Sequence, residues 1–468
     1  MRGRGPVVFV SVDETGVVDE HQFEDDLEPR HLIRRSDVIL KAGILMLGAG
    51  TSSLRVRELM RVVAASLGVD RLRAQIGYTE IVATIERRGI FRTQVAEIPK
   101  PGVNAARIAE LQDLIYTLPP RTTAGDIADR LRAIEARPPH YRPVQLIPLV
   151  GAACAAVCVL TNGGVQEVIA VFFAAMLGYA LLRLLTKFQV NHLAAVATAA
   201  AVSCGSFVLL THLIELISGQ TSPRLAAGFV CAAIFLIPGF PLITSGLDLA
   251  RIDLPAGVTR ITYAMMVLLS IAIGVWMVAA VSGVSPDVVT APPGPPVLVW
   301  AVHVVASFTA VFGWATMFNC PPKAALAAGI VGAIANVPRL LMLENGVPNH
   351  VATFTGCFVI GIGCAIAGSV LKLTKIIMTV PSVLVSIPGS SALRTLLYFD
   401  QRDVTSAVQN GVATVLVVIG MVAGLASARM LTDPEWAFTR PAAAPHVDST
   451  LTLDRPQVIP QSNKDDES

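Results

Sequence analysis

Past Val144 the chain sheds most of its charge, and as far as Gly424 it runs as a series of apolar segments punctuated by short loops. A helix rising 1.5 Å per residue needs about 20 residues to cross roughly 30 Å of hydrocarbon. Runs of that length are predicted near 145–161, 165–184, 192–216, 224–247, 257–281, 296–317, 322–342, 350–372, 376–398 and 403–428. The composition agrees, with 53% hydrophobic and 15% charged residues and a mean hydropathy of +0.62, against about 25% charged in a soluble domain. The expected fold is therefore an α-helical multi-pass membrane protein with about ten transmembrane helices, whose partner along its apolar flanks is the lipid bilayer. A net charge of +2 gives no reason to expect nucleic-acid binding. All seven cysteines lie in apolar stretches without metal-ligand spacing and read as small buried hydrophobes. The membrane region carries no H-E-x-x-H helix, nucleophile elbow or phosphate-cradling loop. No catalytic residue, metal or cofactor is expected, and the weight falls on transport driven by a gradient.

Residues 1–36 are charged and aperiodic and read as a mobile lead-in; the apolar run from Val7 to Val12 is too short for a cleaved signal. Order is expected to begin at Asp37, with a helical hairpin or kinked helix interrupted at Gly48-Ala49-Gly50-Thr51 and capped again by Thr51-Ser52-Ser53. Alternating β-branched and polar residues on either side of Arg87-Arg88-Gly89 predict a hairpin. Helical spacing returns in 103–118 and 122–136, the latter capped by Thr122 or Thr123. Residues 37–140 thus form a small α+β domain, closed by the Pro-rich stretch from Arg137 to Pro143. Lys and Arg, Arg251 and Arg260 among them, are modestly more frequent in the loops on this domain's side, which places the domain and both termini in the cytoplasm. Residues 429–468 read as a disordered tail.

Ile237-Pro238-Gly239, Leu247 and Asp253 recur as Ile387-Pro388-Gly389, Leu397 and Asp403, all at an offset of 150 residues. Five spans (145–281) are therefore followed by five more (296–428). An odd number per copy makes the second enter the membrane from the opposite side, giving two inverted five-helix repeats. Proline removes a backbone donor and clashes with the preceding turn, so each Pro-Gly should break or kink its span near mid-membrane.

A broken span leaves backbone groups that lipid cannot satisfy, and a matched pair of breaks points to a shared substrate site. The plainer alternative is two kinks in packed helices. The candidate substrate-binding residues are Pro238, Gly239, Thr244, Ser245 and Asp248 at the first break, Ser386, Pro388, Gly389, Ser390 and Ser391 at the second, and Asn336. Hydroxyls and freed amides suit the carboxylate and ammonium of an amino acid. Asp248 can bind the ammonium or carry a coupling proton; alternatively Asp248, Arg251 and Asp253 simply mark the membrane interface. Arg339 is costly in its span unless paired, water-lined or snorkelling, and snorkelling is the plainer reading. His212 and His303 read as packed, and Gly420 and Gly424 as sites of close helix approach.

Several stretches carry a family resemblance. Ile39-Leu40-Lys41-Ala42-Gly43, Gly48-Ala49-Gly50-Thr51-Ser52, Arg55-Val56-Arg57-Glu58-Leu59-Met60 and Leu67-Gly68 resemble the cytoplasmic domain of the threonine/serine exporter family. The segment from Pro238-Gly239 to Asp248-Leu249 resembles that family's first membrane half, and Pro388-Gly389 its second. The resemblance covers Asp37 to Arg429. It implies export of threonine, serine and similar small amino acids from a bacterial inner membrane, coupled to protons, whereas some relatives carry the two halves as separate chains and are associated with dicarboxylate export. Two rivals stay open: a transporter of dicarboxylates or small peptides, and an enzyme or sensor acting through the front domain. Whether the chain forms a homo-oligomer is also open.

Overall fold

The computed structural model describes residues 20–98, 102–219, 224–283, 295–433 and Trp436. Residues 1–19, 284–294 of the longest loop, and nearly all of the tail lie outside the described residues.

The N-terminal unit opens with α1 (Glu20–Gly48), which begins well upstream of Asp37. Leu32 and Ser36 are buried there, so the core-facing stripe that includes Ile39, Leu40 and Met46 starts before Asp37. At Gly50 the backbone turns with φ +95°, a conformation that favours glycine, and α2 (Ser53–Ser66) follows. Ser52 sits at the N-cap without a side-chain capping bond, and the hydroxyl of Ser53 is used elsewhere. The alternating segment forms three antiparallel strands rather than two: β1 (Arg71–Ile76), β2 (Glu80–Arg87) and β3 (Ile90–Glu97). Arg88 and Gly89 both take positive φ, the two-residue turn whose twist matches that of the strands. Next come α3 (Ala105–Thr117), capped by Asn104, and α4 (Ala124–Ala136), capped by Thr123. Together these elements enclose a core of their own, including Ile39, Met46, Leu59, Met60, Ile81, Ile85, Leu111 and Leu131.

The apolar region continues as α5 (Pro143–Leu160), α6 (Val165–Lys187), α7 (His192–Ser218), α8 (Leu225–Cys231), α9 (Gly239–Ala250) and α10 (Leu254–Ser282). It then runs through α11 (Pro296–Met317), α12 (Pro322–Glu344), α13 (Asn349–Leu371), α14 (Lys375–Val383), α15 (Gly389–Asp400) and α16 (Val404–Thr432). Among the described residues, eight helices are long and apolar enough to cross a membrane. Leu225–Leu236 and Gly239–Ala250 are together apolar and long enough for a ninth, but the pair is bent by 72°, as in a broken span or a re-entrant loop. The chain is a multi-pass membrane protein. In the second broken segment Lys375–Ser386 is a shorter apolar helix, and α15, GSSALRTLLYFD, is more polar.

Packing follows one pattern twice. α6 lies between α5 and α7, α10 packs on α7, and α9 folds back on α10; α12 lies between α11 and α13, α16 packs on α13, and α15 folds back on α16. A Cβ on Gly274 would lie 2.3 Å from the Ala197 carbonyl oxygen, and one on Gly424 equally close to that of Phe354. Gly420 likewise allows α16 against His350, as expected of these small residues. The positive-φ turns match as well, Ile252 with Arg402 before the last helix of each half.

One side chain ties the two units together. Asn319, in the turn after α11, accepts from the His140 amide at 2.8 Å and donates to the Asn104 side chain at 2.9 Å. The amides of Ala105 and Ala106 donate to the carbonyls of Phe318 and Asn319. Asn104 Oδ1 also caps α3 by accepting from the Arg107 amide. Asn104→Ala removes both bonds and should cost about 1–2 kcal/mol. Thermal unfolding in detergent measures this, and an unchanged midpoint would contradict it.

Candidate functional site

Each Pro-Gly interrupts its helix in the same way. Pro238 (φ −77°, ψ 65°) and Pro388 (φ −78°, ψ 54°) close three-residue turns in which the following glycine amide donates to the carbonyl of Ile237 or Ile387, at 2.8 Å in both. A 3-10 turn precedes each break, Ile234–Leu236 and Leu384–Ser386. The carbonyl of each proline then accepts the first bond of the next helix, from Leu242 and Ala392.

The breaks touch each other. A Cβ on Gly239 would lie 2.2 Å from a methyl of Leu384, and one on Gly389 would meet Val230 and Ile234 at 3.4 and 3.6 Å. Between them is a small pocket lined by Ile234, Phe235, Ile237, Trp314, Met317, Leu384 and Ile387. The crossing of the two segments is therefore apolar and filled, with the indole N–H of Trp314 buried and unpartnered beside it.

The polar candidates fall into separate groups around this crossing. Thr244 and Ser245 donate to carbonyls of their own helix, Phe240 and Leu242. Ser391 donates to the Pro388 carbonyl and accepts from Thr414 on α16. The side chain of Ser390 lies outside the described residues. Ser386 is buried beside the Cys357 thiol. Asn336 belongs to α12, where it links Ser307 to Arg339.

Asp248 lies farther along α9, at the end nearest the N-terminal unit, and is 2% exposed. Its Oδ2 is 3.3 Å from Nη1 of Arg260, itself 1% exposed, although neither atom is aligned for a hydrogen bond. The loop-flanking position expected for Arg260 is replaced by burial because α10 starts at Leu254, which carries the arginine into the helix. The N-terminal unit closes over this pair. Ser53 Oγ lies 2.6 Å from Asp253 Oδ2 and 3.3 Å from Asp248 Oδ1, and Arg57 pairs with Asp253. The Tyr78 ring lies 6.0 Å from the Arg260 guanidinium and 4.8 Å from Tyr263, which His192 stacks upon.

Asp253 and Asp403 occupy matching positions with different duties. Asp403 caps α16 by accepting from the Ser406 amide, whereas Asp253 leaves α10 without a side-chain cap and faces Ser53 and Arg57 instead. Sequence reasoning found Asp248 but not Ser53, Arg57, Tyr78 or Arg260 as its surroundings. The only local signal was the closeness of Asp248, Arg251, Asp253 and Arg260 along the chain.

Two family models match the chain: ThrE, described as "Putative threonine/serine exporter", over residues 37–282, and ThrE_2, "Threonine/Serine exporter, ThrE", over 303–431. The "Probable succinate transporter subunit YjjP" of Klebsiella aerogenes is 26% identical over 264 residues, covering 55% of this chain and 97% of that protein. Its namesake from Escherichia coli K12 is 24% identical over 244 residues, covering 52% and 93%. No solved structure matches the chain.

Partial burial alone would raise the Asp253 carboxyl, but hydrogen bonds from Ser53 and Arg57 and the Arg57 charge outweigh it and hold the group below the usual carboxylate range. A depressed carboxyl contributes stability above its unfolded value, about 3.9, and loses it as pH falls through the folded value. Asp253→Asn should therefore loosen the α2 contact at neutral pH, and the difference from wild type should begin to shrink only below about pH 4, disappearing as pH falls through the depressed folded value. Hydrogen exchange at Ser53–Arg57 measures this; a difference that persists in acid would count against it.

Proposed function

Because the chain belongs to the threonine/serine exporter family, we propose that it is a secondary transporter exporting threonine, serine and similar small amino acids from the cytoplasm in exchange for an inward proton. In this reading ten spans form two inverted halves in a bacterial inner membrane, with the N-terminal unit and both termini on the cytoplasmic side. The second broken segment supplies the tenth crossing. Its polar helix α15 is acceptable there because broken backbone is tolerated in a membrane where protein or a water-filled cavity covers it.

The observation that carries the proposal is the contact of Gly239 with Leu384 across the two breaks. Two half-spans that meet at their weakest backbone points can rock about that contact with few hydrogen bonds to break. The apolar plug between them fits an occluded state, and parting it would expose the turns around Pro238 and Pro388 to a substrate's carboxylate and ammonium. Asp248 is the candidate proton carrier, since neutralising it would free Arg260 and weaken the hold of Ser53 on α9. The YjjP relatives, described as probable succinate transporter subunits, support a second reading, export of dicarboxylates such as succinate through the same scaffold. Membership of a transporter family points away from an enzyme.

Efflux of labelled serine, threonine and succinate from preloaded proteoliposomes, with and without an imposed proton gradient, tests both readings. Acceleration by the gradient that is lost in Asp248→Asn is the expected result for proton-coupled export; retention of all three solutes would refute transport. The crossing makes a separate prediction. Gly239→Ala should slow efflux about tenfold, equivalent to ~1.4 kcal/mol, and Leu384→Ala should restore it, while Gly389→Ala has room and should stay near wild type. Equal behaviour of the two glycine variants would remove the crossing from the mechanism.

A further inference from the structure

Arg260 and Arg339 are both held among membrane helices, and only one has a counter-charge. Arg260 faces Asp248 at 3.3 Å. Around Arg339 no described Asp or Glu comes within 4.0 Å. Arg339 is half-buried with its Nε buried, and a guanidinium set among membrane helices without a partner anion is costly unless something else compensates it.

Snorkelling does not supply that compensation. α12 runs away from the N-terminal unit, so Arg339 would have to extend forward, past Glu344, to reach the far surface. Side chains on a helix lean toward its N-terminus instead, and Arg339 does so: its Nη1 donates to Asn336 Oδ1 at 2.9 Å, one turn deeper. Asn336 is itself fixed, donating from Nδ2 to Ser307 Oγ at 2.8 Å on α11. The stem of Arg339 lies against Gly356 of α13, where a Cβ would come within 3.2 Å of it. Its Nε is buried and makes no hydrogen bond.

The second break lies on the other side of Cys357. The Cys357 side chain lies beside both Arg339 and Ser386, and the buried hydroxyl of Ser386, the last residue before Ile387-Pro388-Gly389, has the Cys357 thiol as its neighbour. A guanidinium with an open Nε, a fixed amide and a buried hydroxyl thus gather beside the break in the half of the molecule remote from Asp248. Arginine's planar fork matches a carboxylate in a way a point charge cannot.

Building on the transport reading, we propose that Arg339, positioned by Asn336 and Gly356 and assisted by Ser386, binds the carboxylate of the exported substrate on the far side of the crossing. The ligand class is a small carboxylate, either the α-carboxylate of an amino acid or one end of a dicarboxylate. Asp248 and Arg339 then lie on opposite sides of the occluding contact, the proton handled on one side and the anion on the other.

The test uses the full chain, purified in detergent and in proteoliposomes, as wild type, Arg339→Gln and Arg339→Lys. Serine or succinate should raise the unfolding temperature of wild type, serine methyl ester and inorganic phosphate should not, and Arg339→Gln should lose the response. In efflux, Arg339→Gln should raise the half-saturating serine concentration at least about tenfold with a smaller change in maximal rate. If that variant fails to fold, Arg339→Lys keeps the charge and loses the fork, and should weaken saturation while leaving ligand-free stability unchanged. Wild-type saturation in both variants, or stabilisation by the ester or phosphate equal to that by serine, would overturn the assignment. Arg339-dependent stabilisation without transport would leave the carboxylate site standing and sink the export reading; no stabilisation and no transport would sink both.

Discussion

The bond from the Gly239 amide to the Ile237 carbonyl, repeated between Gly389 and Ile387, is the constraint on which the rest of the architecture turns. A proline inside a membrane helix leaves carbonyls that lipid cannot satisfy, so the chain must close locally and bury what remains. The three-residue turn achieves the first, and the meeting of the two breaks achieves the second. Each break covers the other, with the close approach possible only because position 239 has no side chain. The long helices α5 and α11 run side by side next to this crossing, with Gly313 against Ala153. They pack closely as a pair beside the shorter, broken segments.

On this matched frame the N-terminal unit imposes an asymmetry. Asp403 spends its carboxylate on capping its own helix, while the equivalent Asp253 gives up the cap and binds Ser53 and Arg57. Ser53 reaches on to Asp248, so the soluble unit grips the same short helix that begins at the first break. A displacement of α9 is therefore felt at the start of α2, and the reverse. The second half has Tyr398 where the first has Asp248, and Asn410 where it has Arg260. The charged pair is thus absent from the half that the N-terminal unit does not hold by this contact.

How much of this could be read in the sequence depended on the range of the interaction. The helices were legible from apolar run length, and most of their ends fell within a few residues of expectation, because hydrophobic matching to the bilayer is a local property. The breaks were legible because proline's missing donor is covalent fact. The strand count was missed by one, since a turn at Gly77–Thr79 inside a continuous alternating run carries no charge or Gly-Pro punctuation as strong as Arg87-Arg88-Gly89. The start of α1 was missed because its charged first turns conceal the buried Leu32 and Ser36. Arg260 read as a loop charge, since nothing nearby revealed that Tyr78 and Asp248 would enclose it. The surroundings of Asp248 depend on Ser53, 195 residues away, and no local pattern encodes such a pairing.

The same distinction separates two arginines that look alike in sequence. Both lie in otherwise apolar helices, and composition alone favours the mildest reading of each, an interface charge or a snorkelling one. Structure divides them by what they face. Arg260 meets a carboxylate belonging to the chain, so its charge is settled internally and can be altered only by changing Asp248. Arg339 meets an amide and a thiol, with the Ser386 hydroxyl beyond the thiol, all neutral polar groups that can help to orient an anion but cannot neutralise a cation. A fold that had no use for an anion there could relieve the cost with an uncharged residue, as most positions of these helices do. Keeping the guanidinium and building Gly356 and Asn336 around it is what a site for a visiting carboxylate requires.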